Sequence, residues 1–173
     1  IKDLMPKIFK KNPNIIVLMV TNPVDILTNL AIKMFPKKKR QIFGSGTILD
    51  TARFRLILGE KMSVDPKSVH AYIVGEHGDS ELPLWSTAMV GNTNIDNFYK
   101  LSKSNKKRIF DQAKNAAYAI IKGKQATYYA IAAGIVQLSR AVLFDKKTVF
   151  TVSHPLNGEF GIKDVSLSLP VVI

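Results

Sequence analysis

The sequence predicts an α/β fold, the C-terminal part of a doubly wound parallel sheet followed by an α+β portion. Three observations predict it. Ile15 to Val20 is a continuous apolar run rich in β-branched residues and bounded by turns, the pattern of a strand buried on both faces of a parallel sheet. Thr21-Asn22-Pro23 and an amphipathic stretch, Val24 to Met34, follow at once, with Ile26, Leu27, Leu30, Ala31 and Met34 at helical spacing. Late in the chain, two strand-like runs, Thr148 to Ser153 and Val165 to Ile173, flank Asn157-Gly158, an antiparallel turn signal.

The other elements follow in order. Leu4, Met5 and Ile8 give residues 2–11 a helical pattern, which Asn12-Pro13 ends. After the basic turn Lys37 to Arg40, Gln41 to Phe43 reads as a short strand running into Gly44-Ser45-Gly46. Thr47 is placed to N-cap a helix over Ile48 to Lys61, with Asp50 in its first turn. From Ser68 the period changes to two. Val69, Ala71, Ile73 and Gly75 alternate with His70, Tyr72 and Val74, a strand that ends in the polar cluster Glu76 to Ser80. Trp85 to Val90 reads as the next strand, and Asn105 to Lys122 and Ala126 to Leu143 as helices broken at Gly123. The change from parallel to antiparallel pattern puts a boundary near Gly44 to Gly46, dividing residues 1–44 from 45–173.

Composition narrows the class. The 173 residues carry 25 Lys+Arg against 13 Asp+Glu, a net charge of +12, and 46% are hydrophobic. That length suits one or two small domains, and the apolar share excludes disordered, collagen-like and low-complexity chains. The longest apolar runs are six residues, far short of the roughly 20 that a bilayer span needs, so no membrane helix is expected. Ile1 to Met5 carry charge and no secretory h-region, and cysteine is absent. Both fit a reducing, cytoplasmic setting. The basic run Pro36 to Arg40 matches a polyanion-binding composition, yet it lacks interleaved aromatics or a recognised module, so it reads as a solvated loop and no nucleic-acid partner is expected.

Chemistry concentrates in GSGTILDTARFR and VHAYIVGEHGDS. Asp50 and Arg53, three positions apart, share one face of their helix. His77 sits past a strand end in a Gly-flanked loop, where functional side chains are commonly displayed. A carboxylate beside an imidazole stabilises the charged ring and makes it a proton donor near neutral pH. An Arg beside that pair offers a planar fork for a substrate carboxylate. Together they describe a site for a small oxo or hydroxy acid.

VTNPVDILT, GSGTILDTARFR, VHAYIVGEHGDSELPLWS and KQATYYAIA, in that order and spacing, closely resemble the L-lactate dehydrogenase family, over essentially the whole chain. The resemblance implies reversible hydride transfer between NADH and pyruvate, giving L-lactate. His77 is then the acid/base, Asp50 its orienting partner, and Arg53 the grip on the substrate carboxylate. Thr127 lines the substrate pocket. Asn22 reaches the substrate carbonyl and the nicotinamide ribose, Val20 contacts the cofactor beside it, and Ile131 gives the nicotinamide an apolar wall. Asn22 also has independent support, because open α/β sheets bind ligands outside the carboxyl ends of their strands. The resemblance further implies a cis bond before Pro23, a homotetramer, and activation by fructose 1,6-bisphosphate through Arg55 and His70 at a subunit interface.

Two expected features are missing. No Gly-x-Gly-x-x-Gly turn occurs, since Gly44-Ser45-Gly46-Thr47 lacks the third Gly, and no mobile lid segment is recognisable. The reading is therefore an internal fragment, with residues 1–44 as a remnant of the NAD-binding domain and residues 45–173 as a truncated substrate domain, inactive alone. The alternatives are a dehydrogenase for malate or another 2-hydroxy acid and, from another class, a non-catalytic basic binding module.

Overall fold

The computed structural model describes residues 1–173. Helix α1, Leu4–Lys11, buries Met5 and Phe9, four positions apart on one face, and closes with Lys10 and Lys11 against its negative end. Strand β1, Val17–Met19, ends at the Thr21-Asn22-Pro23 turn, in which the bond before Pro23 is cis. Helix α2, Val24–Met34, then carries Asp25 in its first turn and buries Val24, Thr28, Ala31 and Ile32. The basic segment Pro36–Gln41 is a 3-10 turn whose Gln41 side chain donates to the carbonyl of Ile15 at 2.8 Å.

Strand β2, Ile42–Gly44, runs parallel to β1, pairing Val17 with Ile42 and Met19 with Gly44. On its other side Gly44 meets Ser153 of β8, Val149–Asn157, in antiparallel register, and β8 forms a hairpin with β9, Lys163–Val172. The parallel start and the antiparallel finish therefore share one sheet, in the order β1-β2-β8-β9. The turn from β2 into helix α3, Ile48–Met62, needs glycine at position 46. Its φ is +52°, and a Cβ there would stand 2.6 Å from the backbone nitrogen of Ser153 and against the Ser168 hydroxyl.

Four local expectations are corrected. Thr47 stands at the start of α3 without capping it, because its hydroxyl donates instead to the carbonyl of Ile73 at 2.6 Å. The alternating stretch after Ser68 forms two short strands, β3 (Val69–His70) and β4 (Ile73–Val74), each with its own partner. Strand β4 pairs with β5, Leu82–Pro83, while β3 pairs with β6, Met89–Val90, which continues to β7, Thr93–Asn94. Trp85 lies in the turn between β5 and β6 because its ring packs edge-on against Phe54, 5.0 Å between centroids. After the short helix α4, Ile95–Phe98, helix α5, Lys103–Lys124, runs straight through Gly123. Gln125 ends it in the left-handed region, at φ +62°, so Thr127 falls in the linker before helix α6, Tyr129–Leu143.

The largest core gathers Phe54, Leu58, Ile73, Ile95 and Ile109 between α3, α5 and the small sheets. A second joins α1, α2, β1 and β2 around Met5, Phe9 and Ile32. A third, Phe43, Ile48, Leu138 and Val152, fixes α6 and the start of α3 to the large sheet. Burial of this kind is worth about 1.5–3 kcal/mol per large apolar side chain, and it holds the first turn of α3 rigidly beside the loop after β4. No helix is long and apolar enough to cross a membrane.

Candidate active site

The first turn of α3 and the loop after β4 meet through Asp50. Its side chain is 4% exposed, and its two oxygens face two different partners. Oδ2 lies 2.6 Å from His77 Nδ1, and Oδ1 accepts from an Arg53 guanidinium nitrogen at 3.1 Å. Asp50 and Arg53 meet because they are one helical turn apart; His77 reaches the same carboxylate from 27 positions away.

Two anchors bring His77 there. Its backbone N–H donates to Asp25 Oδ2 at 2.7 Å, tying the loop to the first turn of α2. At the loop base Gly75 and Ser168 exchange backbone hydrogen bonds of 2.9 and 2.8 Å, which attach the strand end to β9. The hydrogen bond that the ring donates to Asp50 holds the imidazole above its ordinary pKa, against burial, which acts the other way. Because Asp50 occupies Nδ1, Nε2 is the nitrogen left to exchange a proton with a ligand.

A cavity of about 490 Å³ opens over this couple, lined by Asn22, Pro23, Asp50, His77, Glu81 and Lys114 among others. It lies at the carboxyl end of β1, where the parallel pair presents its loops. A second cavity, of about 330 Å³, is lined by Arg53, Gly123, Thr127 and Tyr128 with neighbouring residues of the α5–α6 junction. Asn22, Asp50 and His77 therefore share one cavity, Arg53 and Thr127 the other, and the Asp50–Arg53 ion pair stands between them. Val20 and Ile131 are half-buried and line neither.

Arg55 and His70 lie apart from this site. Arg55 Nε donates to the carbonyl of Ala71 at 2.8 Å, and its guanidinium sits 4.7 Å from the Tyr72 ring centre. His70, on the neighbouring strand β3, is exposed.

Reading the sequence assigned no role to three charged groups here. Asp25 lies on the α2 face that buries Thr28 and Ile32, an acid in an apolar stripe, and burial pushes its pKa up. Glu81 is buried while its neighbour Leu82 is exposed, the reverse of hydropathy, and burial together with the Asp50 charge pushes it up to about 7. The acid in the apolar stripe of α2 was the available signal for Asp25, and the burial of Glu81 leaves none in the sequence. Lys114 reaches in from α5 and donates to the Asp79 carbonyl at 2.5 Å. One ligand-type atom each of Asp50, His77 and Glu81 lies within 4.8 Å of the others. The 2.6 Å contact inside that cluster is a short hydrogen bond of the charge-assisted kind.

Comparison with known proteins agrees with this geometry. Residues 47–173 match the family described as lactate/malate dehydrogenase, alpha/beta C-terminal domain, and residues 1–44 match the lactate/malate dehydrogenase, NAD binding domain. The chain is 47% identical over 176 residues to the L-lactate dehydrogenase of Thermus aquaticus, covering 99% of this chain and 57% of that protein. It is 44% identical to that of Priestia megaterium over 177 residues, covering 100% of this chain and 54% of the relative. L-lactate dehydrogenase 1 of Clostridium acetobutylicum is 42% identical over 177 residues, with 99% and 56% covered. The chain thus spans about half the length of the curated relatives it matches. With both halves matched and a His–Asp–Arg constellation at the carboxyl end of its parallel strands, the chain belongs to the lactate/malate dehydrogenase family.

Proposed function

We propose that the protein carrying this chain is an NAD-dependent L-lactate dehydrogenase that interconverts pyruvate and L-lactate. The observation that supports this most is the single carboxylate of Asp50 held between the His77 ring and the Arg53 guanidinium. Residues 1–44 serve the NAD-binding domain in this reading and residues 45–173 the substrate domain.

The residues fit a nicotinamide cofactor on one point of structure: the Asn22 amide lines the cavity at the end of β1, beside His77. Val20, two positions before it, and Ile131, in the first turn of α6, are proposed as apolar contacts to the same group. NADH, when bound, supplies the hydride that reduces the keto carbon.

The chain supplies the proton and the orientation. His77 gives its Nε2 proton to the carbonyl oxygen of pyruvate as the carbon is reduced, and takes it back from the hydroxyl in reverse. Asp50 holds the opposite ring nitrogen and so keeps the ring charged until transfer. Arg53 grips the carboxylate by two parallel hydrogen bonds, Asn22 donates toward the carbonyl, and Thr127 closes the pocket beside Arg53.

Arg55 and His70 are proposed to bind fructose 1,6-bisphosphate, a doubly phosphorylated activator, across an interface of a homotetramer. A cation and a protonatable ring neutralise phosphate oxygens, and a ligand that prefers one subunit arrangement shifts the population toward it. Replacing both by neutral residues should abolish activation while leaving turnover at saturating pyruvate intact; activation that survives refutes the assignment.

The test of the main reading is NADH oxidation by the full-length protein with pyruvate, run in parallel with oxaloacetate and branched 2-oxo acids. Pyruvate should be the best substrate. Preference for oxaloacetate would assign a malate dehydrogenase, and salt-sensitive nucleic-acid binding without turnover would assign a basic binding module. The 173 residues alone, which contain no Gly-x-Gly-x-x-Gly turn, should show little NADH oxidation.

A further inference from the structure

Glu81 is the one buried carboxylic acid of the cavity to which the reaction above gives no task; Asp79, which also lines it, is exposed. It is 4% exposed, and its Oε1 has no hydrogen-bond partner. Yet it lines the cavity with Asp50 and His77 and stands within 4.8 Å of both. A buried, unpaired carboxyl is costly to keep, so its position beside a proton-carrying ring calls for a reason.

We infer that Glu81 is a positioning residue for the proton chemistry of His77, a second titrating group whose charge sets how firmly the ring holds its proton. This rests on the reading of His77 as the acid/base and adds a partner to it.

The charges around Glu81 come from every side. Asp50 on α3 pushes it toward the neutral form, as burial does; His77, Lys114 on α5 and Arg53 on α3 pull it toward the charged form. Around His77 itself stand Asp50, Glu81 and, from α2, Asp25, all favouring the charged ring. Glu81 and His77 therefore titrate as a coupled pair. When His77 gives its proton to the substrate oxygen, the positive charge facing Glu81 disappears, and Glu81 takes one proton from solvent. In lactate oxidation His77 regains its charge and Glu81 releases that proton. The net charge of the cavity then changes less during turnover than the ring alone would impose, and an ionised Glu81 keeps more of the free enzyme in the proton-donating form.

The experiment uses the full-length protein and reads the titration of His77 from its imidazole NMR signals, alongside the pH profile of pyruvate reduction. Glu81→Gln, close in shape to the neutral acid, should lower the His77 pKa and the alkaline limb of kcat/KM by about one pH unit, with the two shifts agreeing. Glu81→Asp should restore most of both shifts. An unshifted ring in Glu81→Gln overturns the proposal, as does an equal loss of activity at every pH in both variants. A protein without pyruvate reduction refutes the assigned reaction instead, while the NMR titration still judges the coupling. Should Glu81→Gln not fold, infrared difference spectra of the wild type with labelled glutamate decide. A protonated carboxyl band that fades as His77 titrates supports the pair, and its absence sinks it.

Discussion

His77 and Asp25, 52 positions apart, are joined by a 2.7 Å hydrogen bond from the backbone amide of the first to the carboxylate of the second. The proposed acid/base is thus fixed at the backbone by α2 and at the ring by α3. Asp25→Ala leaves a partly buried N–H without an acceptor, which costs about 1–3 kcal/mol. Denaturant unfolding should show that loss. kcat for pyruvate should also fall, because the ring no longer starts from one place.

Asp50→Asn tests the couple at the ring. The amide cannot stabilise an imidazolium as a carboxylate does, so the His77 pKa, raised in the native protein chiefly by the Asp50 hydrogen bond, should fall. kcat/KM for pyruvate should drop about 10²-fold or more, and its alkaline limb should move to lower pH. A profile with the native limb would mean that Asp50 acts only as a structural anchor.

The fold was legible wherever one period dominated. Val24 to Met34 became α2 with the expected bounds, because Pro23 and the apolar stripe agree on them. Reading failed where a tertiary contact outweighed local preference. Thr47 gives its hydroxyl to Ile73 across the core. Gly123 is a different case: nothing packs on it, and its helix continues because one glycine costs only about 1 kcal/mol of helix propensity. In the site, the Asp50–Arg53 pair was readable from helix geometry, and its meeting with His77 came from family resemblance. Asp25 and Glu81 were missed because their roles depend on burial, which a sequence shows at most as a charge at an odd place.

Arg53→Lys separates a fork from a point charge. Lysine could keep an ion pair with Asp50, yet it cannot present two parallel donors to a substrate carboxylate. KM for pyruvate should rise about 10²-fold with little change in thermal stability. Steady-state kinetics check this, and native values would remove Arg53 from the substrate site.

Glu81 also makes a prediction about folding. Burial raises its pKa from 4.5 to about 7, so the native protein binds more protons at this group than the unfolded chain does between those values. A raised folded pKa means that stability is fully present below the unfolded value and is lost as pH climbs through the folded one. Above pH 7 the ionised, buried Glu81 should therefore cost on the order of 2–3 kcal/mol relative to pH 4.5. Glu81→Gln removes that slope. Its unfolding free energy, measured by urea titration of the full-length protein from pH 5 to 8, should decline less than that of the wild type. Parallel declines would place the pH-dependent loss at Asp25 and His77, the other groups here with raised values, and would leave Glu81 without a part in it.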